Sequence, residues 1–91
     1  MAKALGIVKH PVADYAAFRK VYDGAGPIRD RYGVLDAAVL QDPADPNSIT
    51  ILHWFPSVEA ANGFAAAPEL KDAMASAGVT AAPRIEIVVE A

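Results

Sequence analysis

The sequence predicts an α+β chain: four strands in one antiparallel sheet, with helices over a single face. Three observations carry this. Four stretches rich in β-branched and aliphatic residues stand apart, "ALGIVKH" (4–10), "VLDAAVLQ" (34–41), "SITILHWF" (48–55) and "RIEIVVE" (84–90). Between the first and second, and between the third and fourth, apolar residues recur at spacings of three and four, the period of a helix. Between the second and third lies only "DPADPN", a polar, proline-containing turn that makes those strands a hairpin.

Each element has a local reason. The first strand stops at Pro11, which has no N–H for a ladder. Asp14 suits the cap of the following helix, whose apolar face is Tyr15, Phe18, Tyr22 and the adjoining Val21, opposite Arg19, Lys20 and Asp23. "DGAGPIRDRYG" interrupts that helix, because two glycines weaken it and Pro27 fits only at the first position of a second helical turn, "PIRDRY", ending at Gly33. Val34 to Gln41 is apolar on both alternating faces apart from Asp36 and Gln41, so both sides are expected to be covered. Ser57 caps the next helix, with Val58, Ala61 and Phe64 or Ala65 as its stripe and Glu59 near its positive end. Pro68 opens a further helix whose Leu70, Ala73, Met74 and Ala77 face inward, and Gly78 closes it. The last strand alternates Ile85, Ile87 and Val89 against Arg84, Glu86 and Glu90, leaving one face wetter. The order βαββαβ is that of a ferredoxin-like sheet, with strands arranged 4-1-3-2 and "SITILHWF" at a central position.

Ninety-one residues are expected to form one domain spanning 1–91. So small a domain buries only roughly 60 to 65% of its unfolded surface. With 54% hydrophobic and 21% charged residues, and helices for one sheet face only, a homodimer is expected to hide the remainder. Eight dispersed basic residues against eleven acidic ones, a net charge of −3, argue against nucleic acid as a partner. The lack of cysteine excludes disulfides and thiolate chemistry and permits a reducing compartment. The apolar run in "MAKALGIVKHP" is too short for a signal peptide or a membrane span, so the expected location is the cytoplasm, with no membrane partner. No GxSxG, Gly-rich phosphate loop or paired carboxylates are present, and hydrolysis, phosphoryl transfer and glycosidase chemistry are unsupported.

Three segments, "VKHPVADYAAFRKVYD", "DPADPNSITILHWFPSVEAANGF" and "APELKDAMASAGV", resemble in this order the antibiotic-biosynthesis-monooxygenase-like families of the dimeric α+β barrel superfamily. The resemblance rests on a strand ending in His10, the "ADY" helix start, a tryptophan ending the third strand, and "PELKDAM" followed by glycine. It implies a homodimer in which two four-stranded sheets pack into a shared barrel, and a ligand cavity in each subunit between sheet and helices. The superfamily includes cofactor-free oxygenases acting on aromatic polyketides, haem-degrading enzymes, isomerases, cyclases and members without known activity. Two departures matter. "DGAGPI" (23–28) stands where relatives continue a helix, which alters the cavity mouth, and residues 58–78 hold no histidine to serve as an axial haem ligand.

The resemblance also places Trp54 on the helix side with Thr50 and Leu52. Ile49, Ile51, His53 and Phe55 then face the barrel, with His53 at the dimer interface. Trp54 is either plain core or a flat cavity wall with one polar edge. His10 is the candidate catalytic base, a histidine titrating near neutrality beside space left by Gly6; the alternative is a strand-end histidine bonded to a loop. Tyr15 and Tyr22 belong to a helical stripe whose phenols can reach a ligand, Phe64 and Met74 supply adaptable walls, and Arg29 either pairs with an acidic ligand group or is solvated. His10 and His53 lie roughly 10 Å or more apart on antiparallel strands, so they share no metal. The expected function is a small cofactor-independent monooxygenase-like protein, or an isomerase or cyclase, binding an aromatic or polyketide-like molecule without metal or cofactor. The alternative is a non-catalytic homodimeric binding or structural module.

Overall fold

A computed structural model describes residues 3–91; Met1 and Ala2, which open the N-terminal segment considered above, lie outside the described residues. The elements run β1 (Ala4–Pro11), α1 (Tyr15–Gly24), α2 (Gly26–Arg31), β2 (Asp36–Gln41), β3 (Ser48–Phe55), α3 (Val58–Ala65), α4 (Pro68–Ser76) and β4 (Arg84–Val89). They form one antiparallel sheet ordered β2-β3-β1-β4, the α+β ferredoxin-like arrangement.

The capping residues act as their chemistry dictates. Asp14 accepts a hydrogen bond from the Ala17 N–H at 2.9 Å, and the Ser57 hydroxyl accepts one from the Ala60 N–H at 3.1 Å. Helix α1 runs on to Gly24, past the point where the glycines were expected to stop it, and α2 restarts at Gly26 with Pro27 in its first turn. Gly33 and Gly78 follow α2 and α4 with φ of +80° and +76°, a conformation that other residues adopt only with strain.

Register decides what each strand presents. Gly6 stands opposite His53, Val8 opposite Ile51 and His10 opposite Ile49. Cross-strand partners share a face. Ile49, Ile51, His53 and Phe55 therefore point under the helices and are buried, whereas Thr50, Leu52 and Trp54 point away and are half-buried. This reverses the expected facing of β3. The strand is apolar on both faces, so alternation gives a period without a direction. Gly6 supplies the direction: a Cβ there would come within 3.2 Å of the Phe55 ring, so the glycine admits Phe55 to the helix side instead of leaving space beside His10.

The helix-side core has two halves. Val8, Val12, Phe18, Ile49, Ile51 and Ala77 make one, while Ala4, Phe55, Ala61 and Phe64 make the other. Among the described residues, no helix covers the opposite face of the sheet. There, Leu5, Ile7, Leu40, Leu52, Trp54 and Val88 form an apolar surface, with Leu40 47% and Val88 44% exposed. Expected coverage of both sides of β2 is not met in this chain, because β2 is an edge strand and only Ala38 and Val39 are even half-buried.

Candidate functional site

A cavity lies where the two half-cores meet. Strands β1 and β3 form its floor and the four helices its roof. Most of its lining is aliphatic or aromatic, Val8, Phe18, Ile51 and Leu70 among them, and four side chains bring polarity: His10, Tyr22, Arg29 and His53.

His53 and Tyr22 form a pair. The phenol oxygen lies 2.9 Å from His53 Nε2, the rings are nearly parallel at 3°, and the edge of Phe64 packs on the imidazole at a centroid distance of 5.2 Å. Burial, and then the positive charge of Arg29, push the His53 pKa down to about 4, so the ring is neutral at pH 7. Burial raises the Tyr22 pKa, and the nearby Arg29 and Arg19 only partly oppose this. The pair is thus a phenol and a neutral imidazole sharing one hydrogen bond.

Arg29 reaches back from α2 over this pair. Its Nη1 donates to the Tyr22 carbonyl at 2.7 Å and its Cζ sits 4.0 Å from the Tyr22 ring centroid, a cation over a π face. Arg19 also lies over that ring at 5.3 Å, but it is paired with Asp23 at 3.0 Å. At the far end of the cavity His10 meets the edge of Phe18 at 5.7 Å, and its Nδ1 has only a long 3.4 Å contact with the Pro11 carbonyl. Burial lowers its pKa, partly offset by the carbonyl of Pro11 and by its own backbone.

The two histidines line one cavity but stand four register positions apart, about 13 Å at ~3.3 Å per residue. Among the described residues no cluster of three His, Cys, Asp or Glu side chains is placed to hold a metal ion. The free volume is about 50 Å³. That admits water, but it is well below the ~150 Å³ of an engineered apolar cavity that holds benzene. Outside it, between α1, α2 and α4, runs a surface groove of about 380 Å³ that shares Val21, Ala25, Ile28 and Ala73 with the cavity.

No protein-family model and no curated protein matches this sequence. Solved structures do. A candidate antibiotic biosynthesis monooxygenase from Bordetella bronchiseptica aligns over 100% of this chain and 99% of its own, with a TM-score of 0.83 at 14% identity. SnoaB, a cofactor-independent oxygenase from Streptomyces nogalater, aligns over 100% and 93% with a TM-score of 0.73 at 15% identity. The monooxygenase of the gene ActVA-Orf6 of Streptomyces coelicolor, solved in complex with nanaomycin D, aligns over 99% and 88% with a TM-score of 0.71 at 20% identity. The chain has the antibiotic-biosynthesis-monooxygenase-like fold.

Within this monooxygenase-like fold the cavity gathers His10, Tyr22, Arg29, Phe64 and Met74 from the sequence-predicted set. Two others lie elsewhere. Tyr15 packs beside Phe18 at a centroid distance of 6.2 Å, outside the cavity lining. Trp54 sits on the open sheet face near Lys3, Asp36 and Glu90, not on a cavity wall. His53, expected at a subunit interface, is the residue that sequence reasoning missed. The available signal was Gly6, which pairs with His53 and whose missing side chain admits Phe55, and with it the whole His53 face of β3, to the helix side.

Proposed function

We propose that this protein binds a small, largely apolar aromatic molecule in the cavity between sheet and helices and acts on it as a cofactor-independent monooxygenase. The observation that carries this reading is an apolar cavity holding two imidazoles whose pKa burial lowers, one of them joined to a phenol. A hydroxylated aromatic becomes electron-rich enough to react with dioxygen once it loses a proton, and a neutral histidine is the group that removes it. His10 is the better base of the two. His53 is committed to Tyr22, and a pKa of about 4 makes it a weak proton acceptor. The solved cofactor-independent oxygenase and the ligand-bound monooxygenase of the same fold support the reading.

The proposal includes a homodimer. Soluble monomers rarely leave a contiguous apolar sheet face open, and a two-fold pairing of these faces covers both copies at once. A second reading, a non-catalytic binding or structural module, is favoured by the free volume of about 50 Å³, which demands helix movement before any aromatic enters. Oxygen uptake with a panel of hydroxylated naphthalenes and anthracenes separates the two. Turnover that His10→Gln abolishes supports the enzyme. Absence of uptake across the panel, with binding retained, supports the module.

A further inference from the structure

Among the described residues Arg29 is the one formal charge in the lining of the cavity, and no carboxylate lines it. The other two arginines of the described helices are engaged: Arg19 pairs with Asp23 at 3.0 Å, and Arg31 with Glu69 at 2.9 Å. Arg29 makes no such pair among the described residues. Its Nη1 is satisfied by the uncharged Tyr22 carbonyl and its guanidinium plane rests over the Tyr22 ring, which fixes its position without neutralising it. A half-buried guanidinium anchored on one nitrogen keeps further N–H donors, and these bind oxyanions in preference to any neutral group. Close by, the Tyr22 hydroxyl is a second donor in the His53 tautomer that carries its proton on Nε2 and donates it to the phenol oxygen. At the other end, around His10 and Phe18, the described residues of the wall carry no formal charge.

We infer that the ligand of this cavity is an apolar ring system bearing one oxyanion, a carboxylate or an ionised phenol or enol, and that Arg29 is the residue that selects it. The inference rests on the cavity being the ligand site. It adds the ligand's charge and its orientation, with the oxyanion toward Arg29 and Tyr22 and the apolar body toward His10. In this orientation the oxyanion is bound at one end of the cavity while a separate hydroxyl on the ring system lies near the candidate base.

Calorimetric titration with matched pairs tests this: benzoate against benzamide, and 1-naphthoate against 1-naphthamide, with 2,4-dinitro-1-naphthol, ionised at neutral pH, as the phenolate arm. Hydrogen bonds to a charged group predict that the wild type binds a carboxylate roughly 10- to 100-fold more tightly than its amide. Arg29→Gln brings the members of each pair to within about threefold, Arg29→Lys keeps part of the preference, and thermal melting of both variants checks that they are folded. Tight binding of the dinitronaphthol with weak binding of both carboxylates assigns the oxyanion to the ring itself, and the reverse assigns it to a carboxylate. Equal binding of acid and amide by the wild type, or a preference that survives in Arg29→Gln, overturns the charge inference and leaves the cavity as a binding site. Lack of saturable binding by every probe overturns both.

Discussion

Acidification from pH 7 to pH 4.5 should destabilise this protein through its buried imidazoles before any carboxylate contributes. In the unfolded chain His53 titrates near 6.5, and in the folded protein near 4. Between those values the unfolded chain holds a proton that the folded one refuses, so stability is full above pH 6.5 and falls as pH drops toward 4. At about 1.4 kcal/mol per pH unit, the ceiling for His53 is on the order of 3 kcal/mol. His10, lowered in the same direction, adds to the slope. Glu69, held below its ordinary 4.5 by its own backbone and then by Tyr32 and Arg31, loses its contribution only at lower pH, so the window from 4.5 to 6.5 belongs to the histidines. Urea unfolding at fixed protein concentration and four pH values from 7.5 to 4.5 measures the slope, and NMR titration of the imidazole Cε1 protons assigns it. His53→Gln should flatten the curve to the contribution of His10. A folded-state His53 pKa near 6.5, or a midpoint unchanged between pH 7 and pH 5, refutes the reasoning.

Three further outcomes follow from the packing. Tyr22→Phe removes the 2.9 Å partner of a buried imidazole nitrogen and should cost about 1 to 3 kcal/mol in chemical denaturation, with no change in secondary structure by circular dichroism. Gly6→Ala puts a methyl 3.2 Å from the buried Phe55 ring, and a destabilisation of about 1 to 2 kcal/mol, read as a lower melting temperature, is expected because that ring has little room to retreat. Ile51→Lys and Leu52→Lys should behave differently in sedimentation: the first buries a charge under the helices and yields unfolded or aggregated protein, while the second, on the open face, yields a folded monomer.

The strand order was legible because hairpin and crossover signals constrain it jointly: "DPADPN" is too short for anything but a tight connection, and two helical stretches account for the crossovers. Both side-chain caps were legible, since Asp14 and Ser57 are short acceptors placed just ahead of periodic segments. The polarity of β3 was not. Ile49, Ile51, Leu52 and Trp54 populate both faces with apolar side chains, and the choice between them depends on the register against Gly6. For that reason the cavity gathers only part of the sequence-predicted set. Tyr22, Phe64 and Met74 lie on apolar helical stripes, a periodicity that does carry direction, whereas on β3 the partner of Tyr22 was assigned to the other side. Arg29 was visible as a cation on a short helix, but its fold-back onto Tyr22 depends on the break between α1 and α2, and residue spacing does not encode that geometry.

Because β3 shows alternate residues to two different environments, it behaves as an element with parity. A one-residue insertion ahead of His53, absorbed as a shift along the strand, would exchange the two faces, sending Trp54 into the cavity and His53 onto the open surface. A two-residue shift would preserve the faces and only displace the imidazole along the cavity floor. Length changes reaching this strand are therefore tolerable in even steps, while odd ones must be taken up by a bulge or within the turn at 42–47. The same rule governs comparison with distant chains of this fold: an alignment of β3 in error by one position equates a cavity-lining residue with a surface one, and an error of two does not.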